Sequence, residues 1–111
     1  MIDQYSPKEA EPATIILSDD ISISTIGEAH AKFVQAFGIH NQVIGSVDAA
    51  ASVDLSGVQL IESARRTALA AGGTFVLAVP AAGDLFETLR RGGFLATRDQ
   101  RAFWLKNPEE Q

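Results

Sequence analysis

The sequence predicts an α/β fold, a mixed, mostly parallel sheet of four to five strands packed with three or more helices. Three observations carry this expectation. Apolar runs of strand length alternate with helical periods of about 10 to 16 residues. The helical periods open on capping residues and close on glycine. With 111 residues and 46% hydrophobic content, the chain is long enough to bury one core of its own. Strands alternating with helices in this way imply right-handed crossovers between parallel neighbours.

Residues 1–12 are polar, contain Pro7 and Pro12 and show no period, so they read as a tail before a domain spanning 13–106, with 107–111 as a second tail. Thr14 to Ser18 is a first strand, followed by the acidic turn Asp19-Asp20 and by Ile21-Ser22-Ile23, whose alternation predicts a short strand. Thr25 and Glu28 have the spacing of a capping box. Ile26, Ala29, Phe33, Ala36 and Phe37 share one face of the helix they open, and Gly38 marks its end. Gln42 to Val47 forms the next strand, and Ala49-Ala50-Ala51-Ser52 is a small-residue connection.

The second helix is expected from about Ser56 to Ala71. Asp54 and Ser56 are both favoured N-cap types, and Ser56 with Gln59 makes an S-x-x-Q capping box. Leu60, Ile61, Ala64, Ala68 and Ala71 fall within an arc of about 100° on the 3.6-residue period, with alanines small enough to let the helix sit close to a sheet. Glu62 and Arg66 are i, i+4 neighbours on the opposite face. Gly72-Gly73 ends this helix, and Phe75 to Val79 is an apolar run, stopped by Pro80, of the kind covered on both faces. Asp84-x-x-Glu87 opens a third helix with Leu85, Phe86 and Leu89 inward and Gly92-Gly93 at its end. Arg101 to Lys106 is expected to be an edge strand, with Phe103-Trp104 packed in the core, at the edge or in a dimer contact.

Composition narrows the function classes. There is no cysteine, hence no disulfide framework, thiol nucleophile or thiolate metal site, as suits a reducing compartment. A net charge of −5 and a pI near 4.8 argue against nucleic acid, whose binding draws on clustered Lys and Arg. Residues 1–54 hold eight acidic residues against Lys8 and Lys32, while 55–111 hold six against seven basic ones, so the halves can show a protein partner surfaces of different sign. Met1 to Pro12 lacks the apolar segment of an export signal, and no apolar run is long enough to insert in a membrane. A cytoplasmic location is the expectation.

No nucleophile and base pair, metal cluster or cofactor loop is readable, so a non-enzymatic module without cofactor is expected. His30 and His40 have neither the spacing nor the neighbours of a metal site. Asp19-Asp20 suits backbone capping in a tight turn. Arg65, Arg66, Arg90, Arg91, Arg98 and Arg101 are spread over separate elements and read as solvated. Neither glycine pair has the surroundings of a phosphate loop.

The stretch Val53-Asp54-Leu55-Ser56-Gly57-Val58-Gln59-Leu60-Ile61-Glu62-Ser63-Ala64-Arg65-Arg66 resembles the signature of the STAS family, the regulatory domains of anti-sigma factor antagonists and of the cytoplasmic end of sulphate transporters. Ile15 to Ile23 looks like that family's opening strand and turn, and Thr74 to Pro80 with Leu85 to Phe94 like its later strand and helix, so the resemblance covers about residues 13–95. It implies a STAS-like fold and a partner-binding turn at Asp54, Leu55, Ser56, Gly57, Val58 and Gln59. In the antagonists a phosphorylatable Ser or Thr follows the Asp. Here that position is Leu55, which accepts no phosphate and is either an apolar anchor for a partner or tucked inward. Ser56 is the fallback phosphoacceptor, unless its hydroxyl is committed to the cap.

The resemblance implies a bacterial signalling role, docking on a kinase-like anti-sigma factor or, in a chemotaxis setting, on a signalling histidine kinase. The alternative is the cytoplasmic STAS subunit of an ABC-type lipid transporter, bound to its ATPase subunit. A homodimer and a small-ligand sensor using the apolar space beneath the helices are further possibilities.

Overall fold

The computed structural model describes residues 11–18 and 20–106. The elements run β1 (Ala13–Leu17), α1 (Ile26–Ile39), β2 (Gln42–Val47), α2 (Leu55–Ala70), β3 (Thr74–Leu77), α3 (Gly83–Gly92) and α4 (Arg98–Trp104). The strands form one three-stranded sheet in the order β1-β2-β3, parallel throughout, with Ile15 opposite Gly45 and Gly45 opposite Leu77. Successive strands are thus neighbours, and α1 and α2, which carry the two crossovers, pack against each other on the same face of the sheet.

That arrangement sorts the side chains by strand alternation. Ile15, Leu17, Val43, Phe75 and Leu77 point to the helices and are buried with Phe33 of α1 and with Ile61, Ala64 and Ala68 of α2. The Phe75 ring lies edge-on to Phe33 at 5.2 Å between centroids and folds over Gly45, where a Cβ would sit 2.8 Å from the ring. Glycine is therefore the residue that lets Phe75 cross β2. At the C-terminus of α2, Gly72 adopts φ 82° while Gly73 N–H donates to Ala68 O and Gly72 N–H to Leu69 O, a Schellman ending that turns the chain into β3. Glu62 pairs with both Arg65 and Arg66.

Several expectations are corrected. The sheet has three strands among the described residues, not four to five, because two segments expected to be strands are not. Ile21 makes a single parallel bridge to Val53, and the chain then turns, with Thr25 Oγ1 accepting from Ser22 N–H and donating to Asp20 O. That engagement also keeps Thr25 from the expected capping box with Glu28: Thr25 precedes α1 without a side-chain cap. Arg101 to Lys106 is not an edge strand but the end of α4 and the turn after it. Thr97 and Gln100 form a reciprocal capping box that starts this helix, and Trp104 is carried inward to 0% exposure.

Smaller differences concern ends and faces. α1 runs through Gly38 to Ile39, and Ala71 is the exposed C-cap of α2. Among the described residues β3 is covered on one face only, leaving Val76 44% exposed, because the helices pack against the side of Phe75 and Leu77. The two tails, apart from Glu11 and Pro12, and Asp19 of the acidic turn lie outside the described residues. Among the described residues no helix is long and apolar enough to cross a membrane.

Candidate functional site

The segment 52–54 enters α2 across the carboxyl ends of the strands, and hydrogen bonds hold it on every side. Ile21 N–H donates to Ser52 O at 2.8 Å and Asp54 N–H returns to Ile21 O at 3.2 Å. Asp20 Oδ1 accepts from Ser52 N–H at 3.0 Å, Asp84 Oδ2 accepts from Val53 N–H at 2.8 Å, and Thr88 Oγ1 donates to Val53 O at 2.7 Å. Carboxylates thus satisfy backbone donors that a turn leaves unpaired. Val53 and Val58 are buried beneath.

Asp54, not Ser56, caps the helix. Its backbone is extended (φ −92°, ψ −176°) and Oδ1 accepts from Gly57 N–H at 3.1 Å. The expected box between Ser56 and Gln59 does not form, because Ser56 already lies in the first turn. Gly57 is required by a close approach: a Cβ there would stand 2.7 Å from Ile21 O. The first turn of α2 therefore rests on the backbone of Ile21.

Of the residues expected at this turn, Asp54, Leu55 and Gln59 are exposed, Ser56 is half-buried, and Gly57 and Val58 face inward. Leu55 points outward at 49% exposure, so it is not tucked inward. Beside it stands a residue the sequence did not single out. Ile23 N–H donates to Asp54 Oδ2 at 3.1 Å, and its side chain is 74% exposed. An isoleucine flanked by Ser22 and Ser24, off the apolar face of the helix that follows, was the available signal. The result is a rigid turn showing two large apolar side chains around one carboxylate, an arrangement suited to contact with another macromolecule.

Elsewhere the polar residues are committed locally. His40 Nδ1 lies 3.1 Å from Glu11 O, and His30 borders a groove between α1 and α2. Arg65 lies over the Phe103 ring at 4.9 Å, Arg90 pairs with Glu87 at 2.6 Å, and Arg101 donates to Leu95 O and Ala96 O. Among the described residues no three His, Cys, Asp or Glu side chains gather as a metal site.

No family model, curated protein or solved structure matches this chain.

Proposed function

We propose that the chain is a STAS-like regulatory module that acts by docking on a protein partner through the turn preceding α2, without covalent control at Leu55. The observation that carries this reading is the pairing of Ile23 and Leu55, both exposed, on a turn whose backbone is held by Asp54. Ordering costs are met before a partner arrives, so burying the two side chains contributes to affinity with little entropic loss. The resemblance of 53–66 to the STAS signature supports a bacterial signalling partner, a kinase-like anti-sigma factor or a signalling histidine kinase.

The test is affinity capture from the native cell with the unaltered chain, Leu55→Asp and Ile23→Asp, with melting temperature measured in parallel. A signalling kinase or anti-sigma factor held by the first and lost from both variants, at unchanged melting temperature, supports the reading. Retention of the same proteins by both variants sinks it.

A further inference from the structure

Among the described residues nothing covers the other face of the sheet. Thr14, Ile16, Ile44, Ser46, Thr74 and Val76 point away from the helices in register, Thr14 beside Ile44 and Ile44 beside Val76. Ile16 is 63% exposed, and the strands place no charged residue on this side, although 21% of the chain is charged. Parallel sheets are ordinarily covered on both faces.

A lysine sits on an outward carbonyl at each edge of the sheet. Lys32 Nζ donates to Ile16 O at 3.1 Å on the outer edge of β1, and Lys106 Nζ to Leu77 O at 3.0 Å on the outer edge of β3. Lysines on an edge carbonyl oppose strand pairing, and Pro12 removes a further donor just before β1.

We infer that the bare face is a second docking surface, and that its occupant is an amphipathic helix of a partner protein with apolar side chains on Ile16, Ile44 and Val76 and acidic residues along its flanks. Width favours a helix: the outer strands stand about 10 Å apart, close to the diameter of a helix, about 10 Å. Charge favours acidic flanks. Each ammonium spends one of its donors on a carbonyl and keeps its charge, so the uncharged strip runs between two cations. Among the described residues neither lysine forms an ion pair within 4.0 Å, although Asp20 and Glu28 line a small cleft with Lys32. A second copy is disfavoured, because symmetric pairing sets lysine against lysine over a patch of only about 250 Å², where a stable interface takes about 800 Å² per partner. A helix on so small a patch binds weakly and reversibly.

The experiment uses the full chain with labelled Ile, Leu and Val methyl groups, followed by NMR. The probe is a synthetic helix with a leucine stripe and glutamates on both flanks, and the control replaces the glutamates with lysines. Expected are shifts at Ile16, Ile44 and Val76, affinity at least tenfold weaker for the lysine-flanked peptide, and a further loss of about tenfold in Ile16→Thr and in Val76→Thr. The double variant Lys32→Glu, Lys106→Glu should reverse the preference between peptides. Unmoved methyls or equal binding of the two peptides overturns the inference. So do shifts that depend on protein concentration without peptide, which mean a second copy, and shifts on removal of residues 1–10, which mean a segment of this chain. Shifts confined to Ile23 and Leu55 also overturn it, while leaving the docking turn intact.

Discussion

The backbone N–H of Ile23 donates to Asp54 Oδ2 across 31 residues of chain, while the other oxygen of the same carboxylate caps α2 at Gly57 N–H. One side chain thereby fixes both the start of a helix and the loop that precedes another. The two exposed apolar residues of the docking turn, Ile23 and Leu55, inherit their positions from it.

Replacing Asp54 by Ala removes a helix cap and should lower stability by about 1–2 kcal/mol. Ser56→Ala should change it by less than about 0.5 kcal/mol, since that hydroxyl caps nothing. Urea denaturation of the two variants side by side checks the ordering, and an equal loss in both would reassign the cap to Ser56.

Gly57→Ala forces a methyl against Ile21 O and should cost about 1–3 kcal/mol by overpacking, despite alanine's better helix propensity. The midpoint of chemical denaturation reports it. A neutral or stabilising outcome would show that α2 does not rest on Ile21 in solution.

Trp104, the sole tryptophan, is fully buried. Its fluorescence should be blue-shifted and resist acrylamide until the chain unfolds. Trp104→Ala should cost about 3–5 kcal/mol, enough to unfold much of a marginally stable domain. A red-shifted, freely quenched emission from the folded chain would contradict the packing of α4.

Thr97→Ala should cost about 0.5–2 kcal/mol through loss of the box with Gln100. Amide exchange should quicken in α4 before it does in β2, because the loss is local to one short helix. Uniform acceleration across the chain would indicate that α4 opens only with the whole domain.

Leu55→Asp and Ile23→Asp, taken singly, should leave stability within about 0.5 kcal/mol of the unaltered chain, because both side chains are exposed and the Asp54 bonds that hold the turn come from backbone N–H groups. Thermal melts decide it. A large loss in either would place that side chain in the core and remove it from the contact surface.

Much of the fold was legible in local chemistry. The bounds of β2, the inward Ile61, Ala64 and Ala68 of α2 and its glycine ending, the pairing of Glu62 with Arg66, and the inward Leu85 and Leu89 of α3, though not a buried Ala71 or Phe86, follow from period, capping and turn residues that act within a few positions of themselves. Three helix starts with the right spelling, at Thr25, Ser56 and Asp84, did not form as expected; α3 begins at Gly83 after an Ala82 with no side-chain cap, and the Asp84 carboxylate accepts from Val53 N–H instead. At the first two a near neighbour along the chain changed the outcome, Asp20 O taking the Thr25 hydroxyl and Asp54 capping two residues ahead of Ser56. The box that does form, at Thr97, is obscured in the sequence by the strand-like apolar character of Ala102 to Leu105.

By itself the sequence determined the alternation of strands and helices, the helix-opening turn at Asp54 and an interior built from Ile, Val, Phe and Ala, since each depends on neighbours along the chain. Tertiary structure alone decided that Leu55 points outward, that Ile23 joins it, and that Ile16 and Val76 lie on a face that no described residue covers while Val43 and Phe75 do not. Exposure is a property of what packs on top of a residue, and a strand of alternating side chains cannot signal whether one of its faces, or both, will meet a helix.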